Sequence, residues 1–150
     1  VRPLEDIQDA LDGMAKSNGT ASSIASRRKV HGATDITGFG LTGHLAEMSH
    51  HSGARFVLNR DKLPGYRHAK LSLEDGIVTR GNARNETYAR DLVEVRGEIP
   101  SLALDPQTSG GLVFALDEDE GKALETDFES RGEPLWHIGN VESGTGLEFI

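Results

Sequence analysis

The residues best equipped for chemistry lie in two glycine-rich runs. The first reads Thr34-Asp35-Ile36-Thr37-Gly38-Phe39-Gly40-Leu41-Thr42-Gly43-His44, and the second Leu104-Asp105-Pro106-Gln107-Thr108-Ser109-Gly110-Gly111-Leu112. Each sets an aspartate just ahead of hydroxyls and glycines. Glycine opens backbone angles closed to other residues and lacks the Cβ that would hold an anion at a distance. Successive N–H groups then form a concave phosphate site, and a nearby carboxylate can hold Mg²⁺ against the same phosphate.

On that reading Asp35 is a candidate Mg²⁺ ligand, and Thr37, Gly38 and Gly40 in one loop and Thr108, Ser109 and Gly110 in the other are candidate phosphate contacts. Simpler roles compete at each position. Asp35 can equally cap the turn that follows it, accepting from backbone N–H groups. Asp105-Pro106 is a turn opener, which makes Asp105 an organiser of its loop, and Gly110-Gly111 also suits a tight turn into a strand. Neither run ends in the Gly-Lys-Ser/Thr of a P-loop.

The six histidines form no readable site. His50 and His51 are adjacent, so on a helix they point about 100° apart and do not share an ion easily. His44 falls on an apolar helix face, where a satisfied core or interface histidine is expected, and His31 precedes the first loop, where it can stand behind the site. No Ser-His-Asp arrangement emerges from spacing, and Trp136 reads as core.

Periodicity supplies the elements that must position these loops. Leu4, Ile7, Leu11 and Met14 recur at helical spacing behind Pro3, with Glu5 and Asp6 suited to a helix start. Lys16 to Thr20 breaks that pattern, and Ala21 to Lys29 reads as a second helix. Leu41, His44, Leu45 and Met48 share one face of a helix that begins at the first loop, so Thr37 or Gly38 lies near a helix N-terminus, where anions bind readily. Ala54 to Leu58 reads as a strand, Asp61 to Gly65 as a turn and His68 to Leu73 as a brief helix. Asp75 to Glu98 is poor in pattern and reads mostly as loop. Leu112 to Leu116 is an apolar run that predicts a buried strand. Asp117 and Glu120 have capping-box spacing for a helix carrying Leu124 and Phe128, stopped by Gly132. Leu135 to Val141 and Leu147 to Ile150 read as strands around a turn at Glu142 to Thr145. Strands alternating with helices predict one layered α/β or α+β domain.

Composition bounds the function. The chain has 150 residues, 36% hydrophobic and 27% charged, which suits a soluble globular protein with its own core. With no cysteine there is no disulfide, zinc-thiolate or cysteine nucleophile. A net charge of −8, with Arg27-Arg28-Lys29 as its one basic run, argues against a nucleic-acid surface. No apolar stretch approaches the roughly 18 residues of a membrane span, and no signal peptide opens the chain. The start at Val1 is that expected of a piece of a longer protein.

Thr34 to Met48 closely resembles the first signature of the C-terminal domain of selenophosphate synthetase (selenide, water dikinase). Asp105 to Leu112 resembles its second, Gly76-Ile77-Val78 with Arg84-Asn85 is similar to the segment joining them, and Ile138-Gly139 fits near the end. The likeness spans about Gly32 to Val141. That family lies in the aminoimidazole ribonucleotide (AIR) synthetase superfamily, and the resemblance implies a three-layer α/β/α domain with a mixed, partly ferredoxin-like sheet. It implies a cytoplasmic homodimeric enzyme that makes selenophosphate from selenide and ATP, releasing AMP and phosphate. Mg²⁺-ATP is then held between an N-terminal and a C-terminal domain, with no nucleic-acid or membrane partner. The family's Asp-(Val/Ile)-Thr-Gly-Phe-Gly aspartate, a Mg²⁺ ligand, matches Asp35.

The departure is equally informative. The family's catalytic cysteine or selenocysteine, its lysine, further metal aspartates and most nucleotide contacts belong to an N-terminal domain that has no counterpart in this chain. No catalytic residue is therefore expected within it, and the chain alone is expected to be inactive. Two other readings remain: another ATP-dependent enzyme of the superfamily, such as a hydrogenase-maturation dehydratase or a thiamine-phosphate kinase, or a non-catalytic module that binds nucleotide or phosphate.

Overall fold

The computed structural model describes residues 7–150. In chain order the elements are α1 (Gln8–Ala15), α2 (Gly19–Ala25), β1 (Val30–Asp35), α3 (Gly40–Ser52), β2 (Ala54–Leu58), α4 (Arg67–Glu74), α5 (Arg80–Leu92), β3 (Val95–Arg96), α6 (Ser101–Leu104), β4 (Leu112–Leu116), α7 (Glu118–Ser130), β5 (Gly139–Ser143) and β6 (Gly146–Phe149). The strands form an antiparallel β1–β4 ribbon and a mixed four-stranded sheet of order β3-β6-β2-β5, giving the mixed α/β domain that alternation of patterns predicted. In that sheet β2 runs parallel to β6 and antiparallel to β5.

The β1–β4 ribbon is the middle of a three-layer arrangement. Successive strand residues point to opposite faces, and β4 obeys this with apolar residues on both. Val113 and Ala115 pack into a core with Leu45 and Ala46 of α3, Phe56 and Leu58 of β2, and Leu147 and Phe149 of β6. Phe114 and Leu116 pack into a second core with Ile24 and Ala25 of α2 and Leu124 and Phe128 of α7. The four-stranded sheet rests its apolar face on the first core. Its other face carries Arg55, Arg96, Glu142 and Glu148, charged side chains suited to water.

Helix α3 is the hub. It touches both sheets as well as α5 and α6. Its residues Thr42 to Ala46 are all buried, a wider buried surface than the Leu41-His44-Leu45-Met48 stripe alone. The helix ends at Gly53, whose φ of 66° provides the left-handed C-terminal turn that glycine tolerates best. Near that end Ser49, wholly buried, ties three elements together. Its hydroxyl donates to the Ala54 carbonyl at 2.7 Å and accepts from the Gly146 N–H at 2.7 Å.

Several sequence expectations are corrected. Asp75 to Glu98 is not mostly loop, for it contains α5 and β3. The buried side of α5 carries Asn82, Asn85 and Ala89, so its contact face is largely polar and leaves no apolar period to read. Strand β1 was missed because its more covered positions, Val30, Gly32 and Thr34, include only one strongly apolar side chain. The second helix stops at Ala25, short of Lys29, as the chain turns into β1. Only Gly139 to Ser143 forms the strand expected over Leu135 to Val141, and the following turn is correspondingly narrower. Trp136 lies in the irregular segment before it and is 54% exposed, so it is not core. Leu112 to Leu116 is half-buried along its length, covered by helices from both sides rather than fully enclosed. Asp117 occupies the start of α7 without a side-chain capping bond, its carboxylate lying 3.1 Å from His31 instead. Pro3, Leu4, Glu5 and Asp6 lie outside the described residues.

Removing the Ser49 hydroxyl strands the Gly146 N–H in the interior. Ser49→Ala is expected to cost about 1–3 kcal/mol, the penalty for an unpaired buried group. Chemical denaturation against the parent chain measures it, and an unchanged midpoint would remove Ser49 as the joint between α3 and β6.

Candidate functional site

The two glycine loops, about seventy residues apart in sequence, are laced to each other by their backbones. The β1–β4 ladder ends with Asp35 opposite Leu112. It continues into the loops, where the Ile36 N–H donates to the Gly111 carbonyl at 2.9 Å and the Gly110 N–H to the Ile36 carbonyl at 3.0 Å. The Gln107 N–H then donates to the Thr37 carbonyl at 3.0 Å. The approach is so close that a Cβ on Gly110 would fall 2.4 Å from the Ile36 oxygen. Glycine at 110 is thus a requirement of loop pairing.

Gly40 serves the same end from the other side. It is buried at the first position of α3 with φ of 65°, and a Cβ there would meet the Ala103 carbonyl oxygen at 2.9 Å. Its N–H is taken by the Thr37 carbonyl at 3.0 Å. The Asn85 side-chain amide, buried, donates to the carbonyls of both Gly38 at 3.0 Å and Leu104 at 2.9 Å, tying loop one to the residue that opens loop two. Asn18 reaches the assembly from the start of α2, donating to the Gly110 carbonyl at 2.9 Å.

With those bonds made, the amides of Gly38, Phe39, Thr108 and Ser109 have no acceptor among the described residues. All four residues are exposed, and a Cβ on Gly38 would meet nothing within 4 Å. Asp35 is exposed at the end of β1, where these loops leave the ribbon. Among the described residues no three His, Asp or Glu side chains gather closely enough to hold a metal ion between them. Asp35 can therefore ligate a divalent cation only with other oxygen donors, such as phosphate and water, completing the shell. That suits Mg²⁺, which takes few protein carboxylates, and an exposed hard-oxygen donor beside amides that lack protein acceptors fits such a shared role.

Asp105 turns inward on its own loop. Its carboxylate accepts from the Gln107 side-chain amide at 2.9 Å, and burial pushes its pKa up while that hydrogen bond partly opposes the rise. This is the geometry of a loop organiser. His31 points to Asp117, and His50 and His51 are both exposed on α3 with their rings 5.2 Å apart.

His44 is the satisfied, buried histidine expected on the apolar face of α3, but sequence reasoning missed that it and its neighbours brace the first loop from behind. His44 Nε2 accepts from the Thr37 N–H at 3.1 Å and lies 3.0 Å from the Thr37 hydroxyl. The Glu47 carboxylate is 3.4 Å from His44 Nδ1 and accepts from the Tyr88 hydroxyl at 2.8 Å. Tyr88 stacks on Phe39, ring centroids 4.6 Å apart. The His44–Glu47 spacing of three residues was a usable signal, since such residues meet on a helix surface. Nothing local pointed to Tyr88, because α5 itself was not visible as a helix; Asn85 was noted only within the family likeness, without a structural role.

Residues 7–150 match the family model described as AIR synthase related protein, C-terminal domain. The chain belongs to this family. It is 35% identical over 147 residues to a protein named selenide, water dikinase from Aeromonas hydrophila, covering 97% of the chain and 43% of that relative. A protein of the same name from Caldanaerobacter subterraneus is 35% identical over 125 residues, covering 81% of the chain and 36% of the relative. The chain thus spans about two-fifths of the length of these relatives. A solved thiamine-monophosphate kinase from Stenotrophomonas maltophilia shares the fold, with a TM-score of 0.54 and 24% identity over 80% of this chain and 31% of its own. Among the described residues no helix is long and apolar enough to cross a membrane.

Two measurements test this geometry. Gly110→Ala is expected to lose about 1–3 kcal/mol of stability, the usual cost of overpacking, whereas Gly38→Ala stays within about 0.5 kcal/mol. Equal losses in denaturation would mean that the loops are not paired as described. The second concerns Tyr88, whose pKa is raised by its hydrogen bond to Glu47, then by burial, then by that carboxylate's charge. The folded chain holds this phenol proton more tightly than the unfolded one. The contact therefore stabilises the fold fully below the ordinary tyrosine pKa of about 10 and is lost as pH rises through the raised value. An alkaline absorbance titration is expected to show one of the two tyrosines ionising late, a phase that Tyr88→Phe removes.

Proposed function

We propose that this chain is the C-terminal domain of a selenide, water dikinase, and that the paired loops with Asp35 are its half of a Mg²⁺-nucleotide phosphate site. The observation that carries the reading is that two loops bonded to each other leave the amides of Gly38, Phe39, Thr108 and Ser109 without acceptors among the described residues, with the exposed Asp35 at the end of the strand that leads into the first loop. Unbonded backbone N–H groups in glycine-bearing turns are a common means of holding phosphate, and the similar proteins from two bacteria carry the dikinase name.

In the whole enzyme the reaction is selenide, ATP and water giving selenophosphate, AMP and phosphate, selenide taking one phosphoryl group and water the other. Its catalytic cysteine or selenocysteine, its lysine and further metal aspartates would come from an N-terminal ATP-binding domain, in a cytoplasmic homodimer. Asp35 would hold Mg²⁺, which when bound would neutralise charge on the phosphate oxygens. The residues of this chain act as a preorganised wall. Gly38 and Phe39 amides orient one phosphate oxygen, and the Thr108 and Ser109 amides and hydroxyls another. Gly40 and Gly110 keep the loops close enough to act together. Such fixed dipoles lower a phosphoryl-transfer barrier because they need no reorientation as charge moves.

Titration of the chain with Mg²⁺ and a non-hydrolysable ATP analogue, followed by amide NMR, tests the reading. Resonances of Gly38, Phe39, Thr108 and Ser109 are expected to shift together, and Asp35→Ala to abolish the shifts without unfolding the chain. In the full-length enzyme Asp35→Ala is expected to cut AMP release from ATP and selenide by at least about a hundredfold, the scale for loss of one electrostatic group at a reacting centre. The isolated chain is expected to release no AMP. Wild-type activity in the Asp35→Ala enzyme would overturn the assignment.

A further inference from the structure

His44 is almost wholly buried, yet it is a polar side chain aimed at the candidate phosphate loop. Its bonding settles its tautomer. The Thr37 N–H has only a hydrogen to offer, so Nε2 must present its lone pair, and the ring proton then sits on Nδ1. Nδ1 is the nitrogen that faces the Glu47 carboxylate at 3.4 Å. Tyr88 holds the other carboxylate oxygen at 2.8 Å and lays its ring on Phe39, the residue that ends loop one. The set closes on itself: Thr37, His44, Glu47, Tyr88, Phe39. Gly43 lies beneath it, and a Cβ there would strike the Phe39 Cβ at 2.6 Å.

We propose that His44 is a positioning residue for phosphate binding, locked as the Nδ1–H tautomer by Glu47 and Tyr88 so that Nε2 fixes the Thr37 amide while leaving the Thr37 hydroxyl for the ligand. The inference rests on the phosphate-site reading above. Thr37 offers two donors to one lone pair, its N–H at 3.1 Å and its hydroxyl at 3.0 Å. A neutral ring nitrogen accepts one strong hydrogen bond, so the two donors compete. The amide is part of the chain and stays. The hydroxyl hydrogen turns about the Cβ–Oγ1 bond and can point to a phosphate oxygen without loosening the loop. The bonds on Thr37 and the stacking of Phe39 pin the residues flanking Gly38, which makes its amide direction a consequence of the His44 ring.

The test combines a ligand-free and a ligand-bound readout on the same 150-residue chain. Imidazole ¹⁵N NMR is expected to show His44 with a bare Nε2 and a protonated Nδ1. His44→Gln, whose carbonyl oxygen can stand in for Nε2, is expected to keep the Thr37 and Gly38 amide resonances near their wild-type positions. His44→Leu moves both and weakens binding of Mg²⁺ with the ATP analogue about tenfold, the loss of about one hydrogen bond of preorganisation. Tyr88→Phe, which leaves the ring stacked on Phe39, is expected to speed exchange of the Nδ1 proton, providing a second arm should His44→Leu not fold. A protonated Nε2 in the wild-type chain, or unchanged Thr37 and Gly38 resonances in folded His44→Leu, overturns the proposal. If the wild-type chain binds no nucleotide, the phosphate reading fails, while the imidazole spectrum still decides the tautomer.

Discussion

The site depends on one backbone contact, the continuation of the β1–β4 ladder past Asp35 into the two loops. Ile36 exchanges hydrogen bonds with Gly110 and Gly111, and Thr37 accepts from Gln107. Without this seam the loops are two separate turns, and Asp35 is a lone surface carboxylate. With it, the amides left without acceptors belong to two loops bonded to each other. The seam tolerates no side chain at Gly110, which explains a glycine that no turn angle there demands.

What keeps the seam in place is packing on both faces of the ribbon. Alternate residues of β4 enter two different cores, one built around α3 and one between α2 and α7. A ribbon covered on one side only could twist about its axis; a ribbon gripped on both cannot. Polar side chains then set the loops within that frame. Asn85, Asn18 and His44 each bond the backbone of a loop from a helix that lies behind it. Buried polar groups of this sort are costly unless fully matched, and the match is what specifies a single loop geometry.

The glycine loops, α3, β2, β4 and α7 were legible because each carries a strong local signal, either turn chemistry or a clean apolar period. Of the residues proposed for phosphate and metal, Asp35, Gly38, Thr108 and Ser109 were likewise singled out by type and spacing, whereas Phe39 was not. Helix α5 was not, since Asn82 and Asn85 face the interior through hydrogen bonds and look, in one dimension, like solvated side chains. Strand β1 was hidden for a related reason, with glycine and threonine at covered positions. Trp136 shows the converse error: a large apolar residue was placed in the core on type alone, though nothing covers more than half of it.

By itself the sequence determined the backbone freedom of the two loops, the helices and strands with apolar periods, and the family likeness those loops carry. Tertiary structure alone decided that the loops meet, that Gly40 and Gly110 are occupied with packing while Gly38 stands open, and that His44 braces Thr37. The division has a physical cause. Local patterns record what a residue needs from its neighbours in the chain, whereas a hydrogen bond between residues seventy positions apart leaves no period in either segment.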